Sequence, residues 1–265
     1  MPGSPERGSS PAGPDAPPLR VASFNIRSSR SFDGLNSWPL RRPATAAAIR
    51  ALDADVVGLQ EVHPGPARYL RRALAGVAAV GAGRRDGRRG ERCLILYRTE
   101  RLRLVGWTTR WFSDEPLRPG TRLAGAGSPR VATLAELVAR DSGERFAVAN
   151  VHLDERREGN RVASARLLVS WLAPHVPWIV LGDFNAVPAS GVLAVVEAAG
   201  FTTALDADAG GTAHDFTGRA DGARIDHVLV GPQWDVLAGT VVRRRERGRL
   251  ASDHWPVVAD LRLRR

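Results

Sequence analysis

Nine residues of this sequence have side chains that do chemistry and stand where an apolar run begins or ends. They are Asn25, Glu61, Glu91, His152, Asp183, Asn185, Asp226, Asp253 and His254. Five are carboxylates, two are carboxamides and two are imidazoles. Hard oxygen donors without cysteine suit Mg²⁺, Mn²⁺ or Ca²⁺ better than zinc. Five acids gathered in one place would repel one another, so a bound divalent cation is their natural counter-charge. A histidine beside a carboxylate is held in one tautomer and becomes a better base or a stabler cation. A cation, imidazoles and amide donors together suit phosphoryl transfer, where negative charge grows on non-bridging oxygens. Taken singly, each residue would pass for a turn cap or a surface charge; the chemistry requires that they converge.

Convergence needs elements to carry them. Trp178 to Leu181 is apolar without a break, which suits a strand buried on both faces. It runs into Gly182-Asp183-Phe184-Asn185, and on extended backbone Asp183 and Asn185 point to one side. The same residues, with Pro188, are also ordinary turn formers. Residues 19–25 alternate as a strand ending at Asn25, and residues 55–59 form a short strand ending at Gln60-Glu61. Further strands are expected at 92–97, just after Glu91, and at 102–112, 131–138, 145–151, 225–230 and 257–263. Helices are expected at 40–52, where Pro43 is tolerable in a first turn, at 65–74 and at 191–199. Val162, Ala165, Val169 and Leu172 fall on one face of another. Residues 33–38 read as a loop.

Composition sets the bounds. The 265 residues are 43% hydrophobic, enough for one sizeable core. No apolar stretch approaches the roughly 18 residues of a membrane span, so no membrane insertion is expected. Residues 1–18 are rich in Pro, Gly and Ser and lack the features of a signal peptide; they read as a disordered leader before one domain at 19–265, and the protein as cytoplasmic and monomeric. The single Cys93 excludes a disulfide framework and sits in an apolar pattern, as a buried thiol does. The net charge is +10, which would suit a polyanion. All 38 basic residues are Arg, however, in a chain rich in Ala, Gly and Pro, as GC-rich coding produces. The charge therefore supports nucleic-acid binding weakly, and the runs at 84–89 and 243–249 read as solvated loops.

Asn25, Gln60-Glu61, Asn150-Val151-His152-Leu153-Asp154, Gly182-Asp183-Phe184-Asn185, Arg224-Ile225-Asp226 and Ser252-Asp253-His254 resemble, in order and spacing, the signature blocks of the endonuclease/exonuclease/phosphatase (DNase I-like) superfamily. Asp33 to Trp38, Arg85-Asp86-Gly87, Gly90-Glu91, Trp111-Phe112-Ser113, Ser128-Pro129-Arg130 and Gly211 to His214 resemble a bacterial subgroup of unassigned substrate. The resemblance implies a four-layer α/β sandwich with two central mixed β-sheets packed face to face. It implies Glu61 as the principal Mg²⁺ ligand, helped by Asn25 and by Asp253 directly or through water. It implies Asp183 orienting or deprotonating the attacking water, Asn185 holding that water and the phosphoryl oxygens, and His254, oriented by Asp226, as the other candidate base. His152, with Glu91 behind it, would donate to a phosphate oxygen or the leaving group. Arg130 and His214 are candidate substrate contacts, and Trp38, in a loop, a candidate rim residue. His63 has no matching role, His175 and His227 are structural, and Trp111, Trp171, Trp178 and Trp255 belong to the core. The expected function is hydrolysis of a small or terminal phosphoester by in-line attack of water. A nuclease acting on DNA or RNA is the alternative, and a non-catalytic phosphate or nucleic-acid binding module a distant third.

Overall fold

The computed structural model describes residues 17–264, so the expected leader, apart from Pro17 and Pro18, lies outside the described residues. Twelve strands form two six-stranded sheets among the described residues. The first sheet contains β1 (Leu19–Asn25), β2 (Val56–Gln60), β3 (Val77–Val80), β4 (Leu94–Arg98), β11 (Trp234–Val241) and β12 (Val257–Leu263), in the order β11-β12-β1-β2-β4-β3. The second contains β5 (Leu102–Trp111), β6 (Val131–Ala139), β7 (Arg145–His152), β8 (Trp178–Asp183), β9 (Thr202–Thr203) and β10 (Asp226–Val230), in the order β5-β6-β7-β8-β10-β9. Helices α1 (Trp38–Ala51) and α2 (Pro64–Ala73) lie with the first sheet, and α3 (Glu158–Trp171) and α4 (Gly191–Ala198) with the second.

Strand alternation builds the layers. In β1, Ala22 and Phe24 face outward to Ile49 and Leu52 of the α1 region, while Val21 faces the other sheet. In β8, Val180 packs outward with Leu168 and Val196 of α3 and α4, while Ile179 and Leu181 face inward. The inner layer joins Val21, Val56 and Val257 to Val148, Ile179, Leu181 and Val228. Helices, sheet, sheet, helices are the expected four layers, each side chain going to the core its parity assigns.

Each sheet has one parallel pair at its centre, β1 with β2 and β7 with β8. The inner face of these four strands is apolar at first and polar at the carboxyl ends. The sequence of inner-facing residues passes from Val21 to Ser23 and Asn25, from Val56 to Gly58 and Gln60, from Val148 to Asn150 and His152, and from Leu181 to Asp183. A buried network ties the sheets there: Gln60 Nε2 donates to Asn150 Oδ1 at 2.7 Å, and Asn150 Nδ2 donates to the carbonyls of Leu59 at 3.0 Å and Leu94 at 2.7 Å. Gly58 makes room for it, since a Cβ there would stand 2.8 Å from Asn150 Oδ1.

Three strands escaped the sequence reading: β3, β9 and β11. The expected loop at 33–38 holds a 3-10 turn at Gly34–Asn36 and the start of α1. No helix among the described residues is long and apolar enough to cross a membrane.

Candidate active site

Register brings the chemistry to one end of the sandwich. Asn25 lies beside Gln60 across β1 and β2, and His152 beside Asp183 across β7 and β8. Asp226, at the start of antiparallel β10, pairs with Asp183. Antiparallel β12 starts opposite Ser23, so the preceding Asp253 and His254 reach the same end. Two larger clefts open at opposite strand ends, around Trp234 and Leu263 and around Leu74 and Leu96.

Asp183 is buried and anchored on both oxygens. Asn25 Nδ2 donates to Oδ2 at 2.9 Å, and the Asn185 amide donates to Oδ1 at 2.9 Å. His152 Nε2 lies 3.7 Å from Oδ2. His254 Nδ1 and Asp226 Oδ2 are 2.7 Å apart, and Asp226 is fully buried with Oδ1 lacking a partner. Asn185 Nδ2 is turned to the Leu153 carbonyl at 3.2 Å. Asn25 Nδ2 also donates to Glu61 Oε1 at 3.0 Å, and the Ser28 amide donates to Oε2 at 2.6 Å. Asp253 accepts from Ser252 Oγ at 3.1 Å and pairs with Arg27 at 3.2 Å. Glu61 and Asn185 both have left-handed backbone, at φ of 61° and 49°. Non-glycine residues held there cost of order 1–3 kcal/mol each and gather at functional sites.

The two histidines are driven apart. Burial, with Arg130, Arg84 and His254 nearby, holds His152 well below the usual imidazole range. Burial acts on His254 too, but Asp226, Asp183 and Asp253 outweigh it and hold it well above that range. Burial and the charge of Asp226 push the Asp183 carboxyl up to about 7. One flank of Asp183 thus carries a neutral imidazole and the other an imidazolium.

Two groups bear on a cation. Ligand atoms of Asp183, Asp226 and His254 lie within 4.8 Å of one another. The His254 nitrogen nearest an acid is already engaged with Asp226. Glu61 has no basic partner among the described residues, and burial and Glu91 push its carboxyl up. An oxygen-only acid lacking a counter-charge fits a hard divalent ion.

Two expected placements need correction. Glu91 is not hydrogen-bonded to His152 among the described residues. Its Oε2 takes the Arg84 guanidinium at 2.7 Å, and its Oε1 stands 3.5 Å from His63 Nε2. Burial opposes its ionisation, but His63, Arg84 and Arg130 hold its carboxyl below the usual range. His63, given no role above, therefore sits between Glu91 and Ser28 Oγ, 3.1 Å from the latter. Trp38 is no rim residue: it is buried as the first residue of α1, edge-on to Tyr69. Its neighbour Pro39 occupies the first turn, where Pro favours a helix start.

Arg130 is buried beside the group, and His214 is buried against Trp255 with its amide on the Asp253 carbonyl at 2.8 Å. His227 is structural, its Nε2 2.8 Å from the Ala186 carbonyl, and His175 is exposed. Trp111, Trp178 and Trp255 are buried, while Trp171 is half-buried and stacked on Phe112. Asn150, Arg41 and Arg84 went unremarked as single residues; only Asn150 gave a signal, standing two positions before His152 on the same strand face.

Cys93 is buried behind Arg130, and burial pushes its thiol up to about 12. It is expected to react with a thiol-directed reagent only after unfolding. Stoichiometric labelling of the native chain within minutes would contradict this placement.

The fold has known counterparts. A solved endonuclease/exonuclease/phosphatase from Bacteroides vulgatus is 31% identical, with a TM-score of 0.86 over 92% of this chain and 98% of that chain. The mannosyl-6-phosphatase of Bacteroides thetaiotaomicron is 28% identical, with a TM-score of 0.84 over 92% of this chain and 100% of that chain. Nocturnin of Drosophila melanogaster is 31% identical over 180 residues, which are 60% of this chain and 26% of that protein. Residues 22–254 match the sequence pattern of the endonuclease/exonuclease/phosphatase family, whose members hydrolyse phosphoesters, and this chain belongs to that family.

Proposed function

We propose that this chain is a Mg²⁺-dependent hydrolase of a small or terminal phosphoester. The observation that carries the reading is the meeting of Asp183, His152 and the His254–Asp226 pair at the carboxyl ends of the parallel strands of two facing sheets. Asp183 faces both histidines and is fixed by Asn25 and Asn185, so we assign it the attacking water. It takes the water proton as the oxygen bonds to phosphorus and the ester P–O bond breaks on the opposite side. His254, oriented by Asp226, lies toward the phosphoryl oxygens, where negative charge grows. His152 donates a hydrogen bond from the other flank; the leaving alkoxide takes one proton from solvent, and Asp183 returns the water proton to solvent, which balances the step. Glu61 would hold the cation, with Asn25 and Asp253 at its side; a bound divalent ion supplies charge neutralisation at the phosphoryl oxygens.

A small ester is favoured by what the arginine runs do. Arg89 is paired with Asp86, Arg244 with Glu246 at 2.9 Å, and Arg243 donates to the Ala209 carbonyl at 2.5 Å. The two ion pairs offset part of the charge that a nucleic-acid footprint would use. Similarity over 92% of the chain to a mannosyl-6-phosphatase points the same way.

The test is product release from duplex DNA, single-stranded DNA, RNA, nucleotides, inositol phosphates and sugar phosphates, with Mg²⁺ and with chelator. Chelator-sensitive release from a small ester alone is expected; cleavage of polynucleotide alone would replace this reading with a nuclease. Glu61→Gln is expected to raise the Mg²⁺ concentration for half-maximal rate by about tenfold or more, the usual scale for a lost ligand interaction. An unchanged Mg²⁺ titration would remove Glu61 from the metal site.

A further inference from the structure

Beside His152 the fold builds a second cationic feature that the reaction outlined above does not use. Arg130 immediately precedes β6, and its side chain is 8% exposed. Its Nη2 pairs with Glu155, while Nη1 is buried without a partner. Arg84 approaches from the loop before β4, with 17% of its side chain exposed. The loop is solvated over Arg85, Asp86, Arg88 and Arg89 but fastened at Arg84: the Arg84 amide donates to the Glu91 carbonyl at 2.9 Å, and Trp111 Nε1 donates to the Arg84 carbonyl at 2.6 Å. Arg84, Arg130 and His152 line one small cleft together with Glu61 and Glu91. A buried guanidinium with a free N–H is costly unless an acceptor arrives.

We propose that Arg130 and Arg84 form a subsite for a phosphate dianion, so that the enzyme selects phosphomonoesters over phosphodiesters, and that Glu155 occupies Arg130 until the substrate displaces it. The proposal rests on the phosphoesterase reading and narrows its substrate class. A monoester near pH 7 carries about 1.5 to 2 negative charges and three acceptor oxygens. A diester carries one charge and two free oxygens. Arginine's planar fork takes two oxygens at once, which uses up those of a diester, whereas a monoester keeps a third oxygen for His152 in the same cleft and brings the greater charge. Arg84 keeps its bond to Glu91 and adds charge at short range.

Glu155 is suited to yield. Its side chain is 49% exposed, so its pair with Arg130 competes with water. It is also held in place, because buried Asp154 accepts the amides of Arg156 at 2.8 Å and Arg157 at 3.0 Å and shapes the turn that presents it. A single carboxylate fills half of what a dianion offers, which leaves Arg130 Nη1 without an acceptor.

The test is calorimetric titration of the full chain, with Mg²⁺, by methyl phosphate and by dimethyl phosphate. The wild type is expected to bind methyl phosphate about tenfold or more tightly over dimethyl phosphate, and Arg130→Gln to erase the difference. Equal affinities in the wild type, or a preference that survives Arg130→Gln, would overturn the subsite. Glu155→Gln changes an exposed residue and leaves the fold intact. It is expected to tighten methyl phosphate about threefold or more without changing dimethyl phosphate, as removal of a competing charge should. Unchanged binding in that variant would overturn the displacement. Turnover of 4-nitrophenyl phosphate, measured alongside, reads the hydrolase assignment separately. A wild type that discriminates between the two ligands yet turns over no ester would support the subsite while sinking the hydrolase.

Discussion

Asp183→Asn is expected to lower kcat by more than about a hundredfold, the usual scale for a lost base or charge at the reacting centre. The fold is expected to survive and even to gain stability. Asparagine has the same shape and keeps one acceptor for the Asn185 amide, which now reaches Oδ1 at 2.9 Å. Its amide cannot accept from Asn25, so one of two anchoring bonds is lost. Against that loss, a buried anion facing Asp226 disappears, and with it the repulsion that raises the Asp183 carboxyl. Sites built for chemistry commonly release stability when the charge is removed. Thermal melting and kcat measured on one preparation decide the matter. A near-wild-type kcat would remove Asp183 from the reaction, and a collapsed melting curve would make it a structural residue.

Arg41→Ala is expected to destabilise the chain by more than about 3 kcal/mol, because several buried bonds to a charged donor go together. Arg41 is 1% exposed, the largest of the fully buried side chains. Burial pulls its guanidinium down to about 10, so it is still charged at neutral pH. No carboxylate pairs with it among the described residues. Its charge is met by four carbonyl contacts: Nε to Asn36 at 2.9 Å, Nη1 to Ile26 at 2.5 Å and Ala251 at 3.2 Å, and Nη2 to Arg27 at 2.8 Å. These carbonyls belong to the segments that follow Asn25 and precede Ser252 and Asp253, so one side chain sets the spacing of the candidate metal-binding loops. For a chain of this size the change corresponds to a melting temperature lower by roughly 6–12 °C. Arg41→Lys should recover little, since one ammonium cannot meet carbonyls in four directions. A melting temperature within 2 °C or so of wild type for Arg41→Ala would refute the clamp.

The parts legible in the sequence were those written at short range. Asn25, His152 and Asp183 stood out because the end of an apolar run is a local property, and the structure puts all three on the inner face at one end. Strands that lack such a pattern were missed. β3 reads Val-Ala-Ala-Val, short and poor in strand formers, and β11 exposes four consecutive residues at a sheet edge. Trp38 was misplaced because Asp-Gly-Leu-Asn-Ser reads as a loop, although Ser37 and Pro39 around it are helix-start residues. Arg41 and Arg84 find carbonyls and acids far along the chain, and nothing in their flanking residues announces such partners. The Glu91 contact failed for a related reason. Position next to a strand gives a side chain a neighbourhood, whereas the competing cation, Arg84, arrives by a loop whose path sequence does not specify.

The strand order has a consequence for synthesis. The second sheet is drawn from one contiguous stretch, β5 to β10, and can pair as soon as that stretch leaves the ribosome. The first sheet waits: β1 lies between β2, made early, and β12, the last made of the described strands. Ser252 Oγ closes on the Asn25 carbonyl at 2.7 Å only when the segment leading into β12 exists. A nascent chain that has passed Asp226 but not reached Asp253 and His254 therefore holds Asn25, Glu61, His152 and Asp183 but lacks the imidazole of His254. Hydrolytic competence should arrive in one step, once the segment through His254 has emerged, and shorter products should be inert.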